Sequence, residues 1–241
     1  MRTILLVLIS VVLISSCNNE DKNNQILTAN ETKELLDQNL RKQIVSFKEP
    51  LLIDTLNSVF LIPVNQKFLD KTENVADDGV LRLRSSKKSY RNYSSFNNIA
   101  LYFDKTGNVI QILNERFLIN EIDYSCIDND IIITFSGINE DTNKDKKLNY
   151  EDIETFFIYS VNQDKLLKVT EKEMSFISYK FIPETKNLIL IFGHDRDANG
   201  EFDKKNEPTY VYRFDFDKEE LKPVIDSVKM NEIQKNLDGK N

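Results

Sequence analysis

Tryptophan is absent from this chain of 241 residues, histidine occurs once (His194), and cysteine twice (Cys17 and Cys126). One imidazole cannot build a multi-histidine metal site, and two thiols cannot make a disulfide scaffold. Six glycines and five prolines exclude collagen-like and Pro/Gly-rich low-complexity chains. Cations are in deficit, 32 Lys+Arg against 39 Asp+Glu, for a net charge of −7. A general nucleic-acid binder needs surplus cations to displace phosphate counterions, so nucleic acid is excluded as a partner. No G-x-S-x-G, H-E-x-x-H or Gly-rich phosphate loop is present, and sugar clefts usually lean on aromatic platforms that a Trp-free chain is poorly supplied to build. A non-enzymatic protein is the expectation. A hydrophobic content of 40% is enough for a packed core.

The apolar run from Ile4 to Ile14, interrupted only by Ser10, follows Arg2. Eleven residues make a helix of about 16 Å, half a bilayer core, which is signal-peptide length and too short for an anchor. Ile14-Ser15-Ser16-Cys17 then resembles the lipobox of bacterial lipoproteins. That resemblance implies cleavage before Cys17 and acyl chains on its sulfur and nitrogen. Several chains at about 0.8 kcal/mol per buried CH₂ hold stably to a membrane. Asn18, in place of the aspartate that marks inner-membrane retention, implies the outer membrane, and Asn18–Lys22 is similar to the short acidic tethers of surface lipoproteins. Removing 16 of the 241 residues leaves 225, and the loss of Arg2 takes the charge from −7 to −8. Cys126 then has no cysteine partner, and its setting predicts a strand in which it packs as a small hydrophobe.

The expected organisation is a signal peptide (1–16), a tether (17–27), an N-terminal helix with strands (28–96), a β-repeat region (97–226) and a C-terminal helix and tail (227–241). Thr28-Ala-Asn-Glu31 fits a capping box, and Leu35, Leu36, Leu40, Ile44 and Phe47 share one helical face up to Pro50. Leu51–Ile53 and Ser58–Val64 read as strands. Arg82, Arg84, Lys87, Lys88 and Arg91 cluster near Tyr90 and Tyr93. Such a group either grips an anionic chain such as an acidic glycan or protects a solvated edge strand.

From Asn98 onward the chain repeats. Ile99–Asp104 with Val109–Leu113, Thr155–Ser160 with Lys165–Val169, and Thr209–Asp215 with Glu220–Val224 are three strand–turn–strand copies. Equating Asp104, Ser160 and Asp215 spaces them by 56 and 55. Asp130–Gly137 matches Lys186–Gly193 at an offset of 56. The fold class is therefore mainly β, in antiparallel four-strand units. They are either propeller-like, with the early strands as a degenerate blade, or stacked as an open sandwich.

An acidic turn follows each paired glycine. Asp195-Arg-Asp197-Ala-Asn199-Gly200-Glu201-Phe202-Asp203, continuing to Asn206 and Glu207, resembles the EF-hand loop in its shortened bacterial form. The resemblance implies Ca²⁺ held by Asp195, Asp197, Asn199 and the Glu201 carbonyl, with Phe202 pinning the loop. Asn206 stands where the bidentate acid belongs, leaving Glu207 or Asp203 to close the site. Asp141, Asn143, Asp145, Lys147 (through its carbonyl) and Asp152 take the same places in the first loop, with Leu148 as its apolar pin and Lys146 replacing the glycine. Calcium takes six to eight oxygens, and residues of these types at alternate positions present them. Strand flanks make these structural clips and not switches. The reading is a lipid-anchored outer-membrane binding or structural protein with calcium-stabilised loops and a protein or glycan ligand. A glycan-acting hydrolase or an inhibitor-type lipoprotein is the alternative.

Overall fold

The computed structural model describes residues 43–68 and 89–239. The leader, Cys17, the tether, the start of the N-terminal segment, and Arg82, Arg84, Lys87 and Lys88 lie outside the described residues. Among the described residues, fourteen strands form three antiparallel sheets.

The first sheet joins β1 (Gln43–Phe47), β2 (Leu51–Asp54), β3 (Val59–Phe68), β5 (Asn98–Phe103) and β6 (Asn108–Gln111). Because β5 lies along one side of β3, β1 and β2 share the other as one edge strand broken around Pro50. The helix read from sequence therefore does not reach Phe47. β-branched Ile44 and Val45 suit an extended chain, and pairing with Val64–Phe68 satisfies the backbone there.

The second sheet has the order β10-β9-β8-β7-β4, from β4 (Ser89–Phe96), β7 (Leu118–Ile127), β8 (Asp130–Ile138), β9 (Thr155–Ser160) and β10 (Lys165–Val169). The third is the meander β11 (Met174–Phe181), β12 (Leu188–His194), β13 (Thr209–Asp215) and β14 (Glu220–Pro223). The early strands thus supply a full first unit. β4, which carries Tyr90, Arg91 and Tyr93, leaves that unit to become an edge of the second sheet, with Arg91 opposite Glu121.

Every residue of β8 and β9 is buried, so the second sheet is covered on both faces. Alternation divides its side chains. Ile133, Phe135, Phe157 and Tyr159 enter the core shared with the first sheet, where the Phe135 and Phe157 rings stack at 5.1 Å. Ile132, Phe156 and Ile158 enter the core shared with the third, where Phe156 stacks on Phe176 at 4.6 Å. Among the described residues no apolar cluster joins the first and third sheets. The stack is open.

The strand pairing also corrects the repeat register. Phe103, Ser160 and Asp215 are the last residues before equivalent four-residue turns. Ile132 pairs with Ser160, while Leu188 pairs with Phe214, one place before Asp215, so the second and third units are offset by 55. The offset of 56 would turn every side chain to the opposite face. In all units the connection from second to third strand lies at one pole of the stack. At that pole Asn97 Nδ2 donates to the Phe117 carbonyl at 2.9 Å, joining the first sheet to the second.

The closing helix α1 (Ser227–Leu237) is capped by Asp226, whose carboxylate accepts Lys229 N–H at 2.8 Å. It buries none of its residues.

Candidate metal centre

The loop Asp195–Glu207 joins β12 to β13, and Asp141–Asp152 joins β8 to β9. The roots of the second loop are fixed by backbone bonds, His194 N–H to the Pro208 carbonyl and Asp195 N–H to the Glu173 carbonyl, both at 2.9 Å. Phe202 lies over Gly193, where a Cβ would come within 2.1 Å of the ring. Gly193 therefore leaves the room that seats the apolar eighth position of this loop. In the first loop Leu148 fills that role, 1% exposed against Leu118 and Ile138.

The two loops share one hydrogen-bond scheme. The first-position carboxylate of Asp141 accepts the N–H groups of Asp145 (3.1 Å) and Lys146 (2.9 Å). Asp195 accepts those of Asn199 (3.2 Å) and Gly200 (2.8 Å). At the third position Asn143 and Asp197 accept the fifth-position N–H, and at the fifth Asp145 and Asn199 accept the seventh. The backbone turns left-handed at the sixth position in both, φ 69° at Lys146 and 87° at Gly200. Lysine there costs about 1–2 kcal/mol relative to glycine.

The closing acid resolves the departure seen in the sequence. Asp152, twelfth in its loop, accepts the N–H of Thr142 at 2.8 Å and of Asn149 at 3.0 Å, the second and ninth positions. Glu207, thirteenth, accepts Arg196 N–H at 2.6 Å and Asp203 N–H at 2.9 Å, again second and ninth. One extra methylene on glutamate offsets one extra residue of chain.

Asp195, Asp197 and Glu207 each bring a carboxylate oxygen within 4.8 Å of the others, with Asp195 buried, Asp197 exposed and Glu207 half-buried. Three anions this close repel by roughly 1–3 kcal/mol per pair at partly wet positions. The donor set, carboxylates with the Asn199 amide alongside and neither sulfur nor imidazole, fits a hard cation. The other acidic side chains read from sequence make local hydrogen bonds. Asp203 is exposed and engages Lys205 N–H and Asn206 Nδ2 at 2.8 and 2.6 Å; these bonds hold its carboxyl below the usual aspartate range. The Glu201 side chain turns to the first loop, accepting Asn143 Nδ2 at 3.0 Å. Asp141, Asp145 and Asp152 do not converge in this way, and Lys147 donates its N–H to Asp145.

The loops touch. Thr142 Oγ donates to the Gly200 carbonyl at 2.5 Å, and Asp152 and Glu201 form an antiparallel bridge. A Cβ on Gly200 would lie 2.1 Å from the Thr142 carbonyl oxygen, so the glycine serves this approach as well as its left-handed turn. Sequence reasoning missed this partnership, for which only the shared loop position was a signal. Just past the first loop, Glu154 accepts Asn120 Nδ2 at 3.2 Å; burial raises its carboxyl above the usual range against the pull of Ser136, Asn120 and Lys204.

His194 is half-buried, its ring edge-on to Tyr210 and its Nε2 4.0 Å from Glu173 Oε2. Cys126 is on a strand, as expected, but exposed and not packed inside. It sits near the β7–β8 turn, at the pole opposite His194, so the two make no catalytic pair. Among the described residues no helix is long and apolar enough to cross a membrane. Comparison with protein families and with curated proteins finds no match for the chain.

Proposed function

We propose that the protein is a non-enzymatic, lipid-anchored envelope protein whose β stack is clipped at one pole by Ca²⁺. The observation that carries this reading is the convergence of Asp195, Asp197 and Glu207 on strand-flanked supports, with every donor an oxygen. Asn199 and backbone carbonyls complete the shell, since calcium takes six to eight ligands at about 2.3–2.6 Å. Dissociation constants of about 10⁻⁴–10⁻³ M suit modules outside the cell. Lipidation at Cys17 and outer-membrane placement rest on the leader motif. A protein or glycan ligand would dock on the surface that the ion stiffens.

The test is a calcium titration of residues 18–241 followed by heat denaturation. Calcium raises the melting temperature and magnesium raises it less. Identical melting with calcium and with chelator overturns the proposal.

A further inference from the structure

Register assigns equivalent faces to the three sheets. The face of the second sheet that carries Phe157 and Tyr159 is covered by the first sheet, and the face of the third that carries Tyr212 and Phe214 is covered by the second. The equivalent face of the first sheet carries Ala100 and Tyr102, and among the described residues no further sheet lies before it. It is nevertheless apolar. Leu52, Phe60, Tyr102 and Val109 form one cross-strand row, beside Ile62 and Ala100. Leu52 is 37% and Val109 66% exposed, and the Phe60 and Tyr102 rings lie 6.4 Å apart. An end face built like an inner one calls for a cap, as in other stacked repeats.

We propose that the chain's own residues 28–42, outside the described residues, cover this face. They lead directly into Gln43, the first residue of β1 on the edge of the same sheet. At helical spacing Leu35, Leu36 and Leu40 share one side. Fifteen residues in that form span about 22 Å, and four strands are about 19 Å wide. The segment thus matches the sheet in reach and in chemistry.

The test uses residues 18–241 with Cys126→Ser, carrying Leu36→Cys with Ala100→Cys; a control pairs Leu36→Cys with Lys222→Cys on the third sheet. Mild oxidation gives a monomeric, internally bridged product for the first pair and about tenfold less for the control. In a second measurement, Leu40→Asp speeds thiol labelling of Ala100→Cys by about tenfold, because reaction tracks the open fraction of the face. Disulfide-linked dimers through Ala100→Cys alone assign the face to a second copy. Labelling as fast as in the denatured chain leaves it open to another partner. Either outcome overturns the proposal, and neither depends on calcium.

Discussion

Thr142 gives its hydroxyl hydrogen to the carbonyl of Gly200 and takes the N–H of Ile153 on the same oxygen, at 2.9 Å. One side chain of the first loop thereby holds both the second loop and the exit of its own. An ion seated by Asp195, Asp197 and Glu207 consequently acts on two sheets.

Mass action sets the size of the proposed calcium effect. At free calcium 100 times the dissociation constant the fold gains about 2.7 kcal/mol. For a chain of this length we expect the melting temperature to rise by roughly 5–10 °C. Glu207→Gln should abolish most of that rise while Asn206→Ala preserves it, as read by scanning calorimetry with and without chelator. Equal losses in the two variants would refute Glu207 as the closing acid.

The sixth loop position gives opposite effects in the two loops. Gly200→Ala meets both the left-handed turn and the Thr142 carbonyl, and should cost about 2–4 kcal/mol. Lys146→Gly relieves strain at φ 69° and should add about 0.5–1 kcal/mol once the freer unfolded chain is counted. Urea denaturation of both variants checks the signs.

At the other pole Lys186 Nζ meets Asp130 Oδ2 at 3.0 Å, with the Asp130 side chain 4% exposed and also accepting the Ser160 hydroxyl. Lys186→Met leaves that charge buried and unpaired, and should cost about 3–5 kcal/mol. Adding Asp130→Asn should restore at least half, which a double-mutant cycle measures. A double variant no better than the single one would show that the pair is not what pins the second sheet to the third.

Glu154 supplies a pH dependence. Its folded pKa is raised by burial, so its contribution to stability is complete below its ordinary value near 4.5 and is lost as pH rises through the folded value. Glu154→Gln imitates the protonated acid at every pH. The variant should match the parent at pH 4 and exceed it at pH 7.5 in equilibrium unfolding. A constant difference across that range would contradict the burial argument.

The strand–turn–strand copies and both acidic loops were legible in the sequence because each is a local pattern within about fifteen residues. Their faces were not. The repeat spacing differs by one between turn and hairpin, and only the pairing of Ile132 with Ser160 and Leu188 with Phe214 decides which side chains share a core. Gln43–Phe47 fitted a helical stripe, yet the unpaired edge of β3 made extension the better use of Ile44 and Val45. Glu207 stood one place late on a template of fixed length. The hydrogen bonds from Arg196 and Asp203 show how a longer side chain reaches the same spot. The contact of Thr142 with Gly200 spans 58 residues and has no local signature.

The two-sided burial of β8 and β9 has a consequence for anyone dissecting the molecule. Trimming away either flank strips the middle of one of its two coats and leaves aromatic rings such as Phe157 or Phe156 facing water. Recombinant fragments ending between the sheets should be insoluble, and the intact chain should lose its structure in a single concerted step.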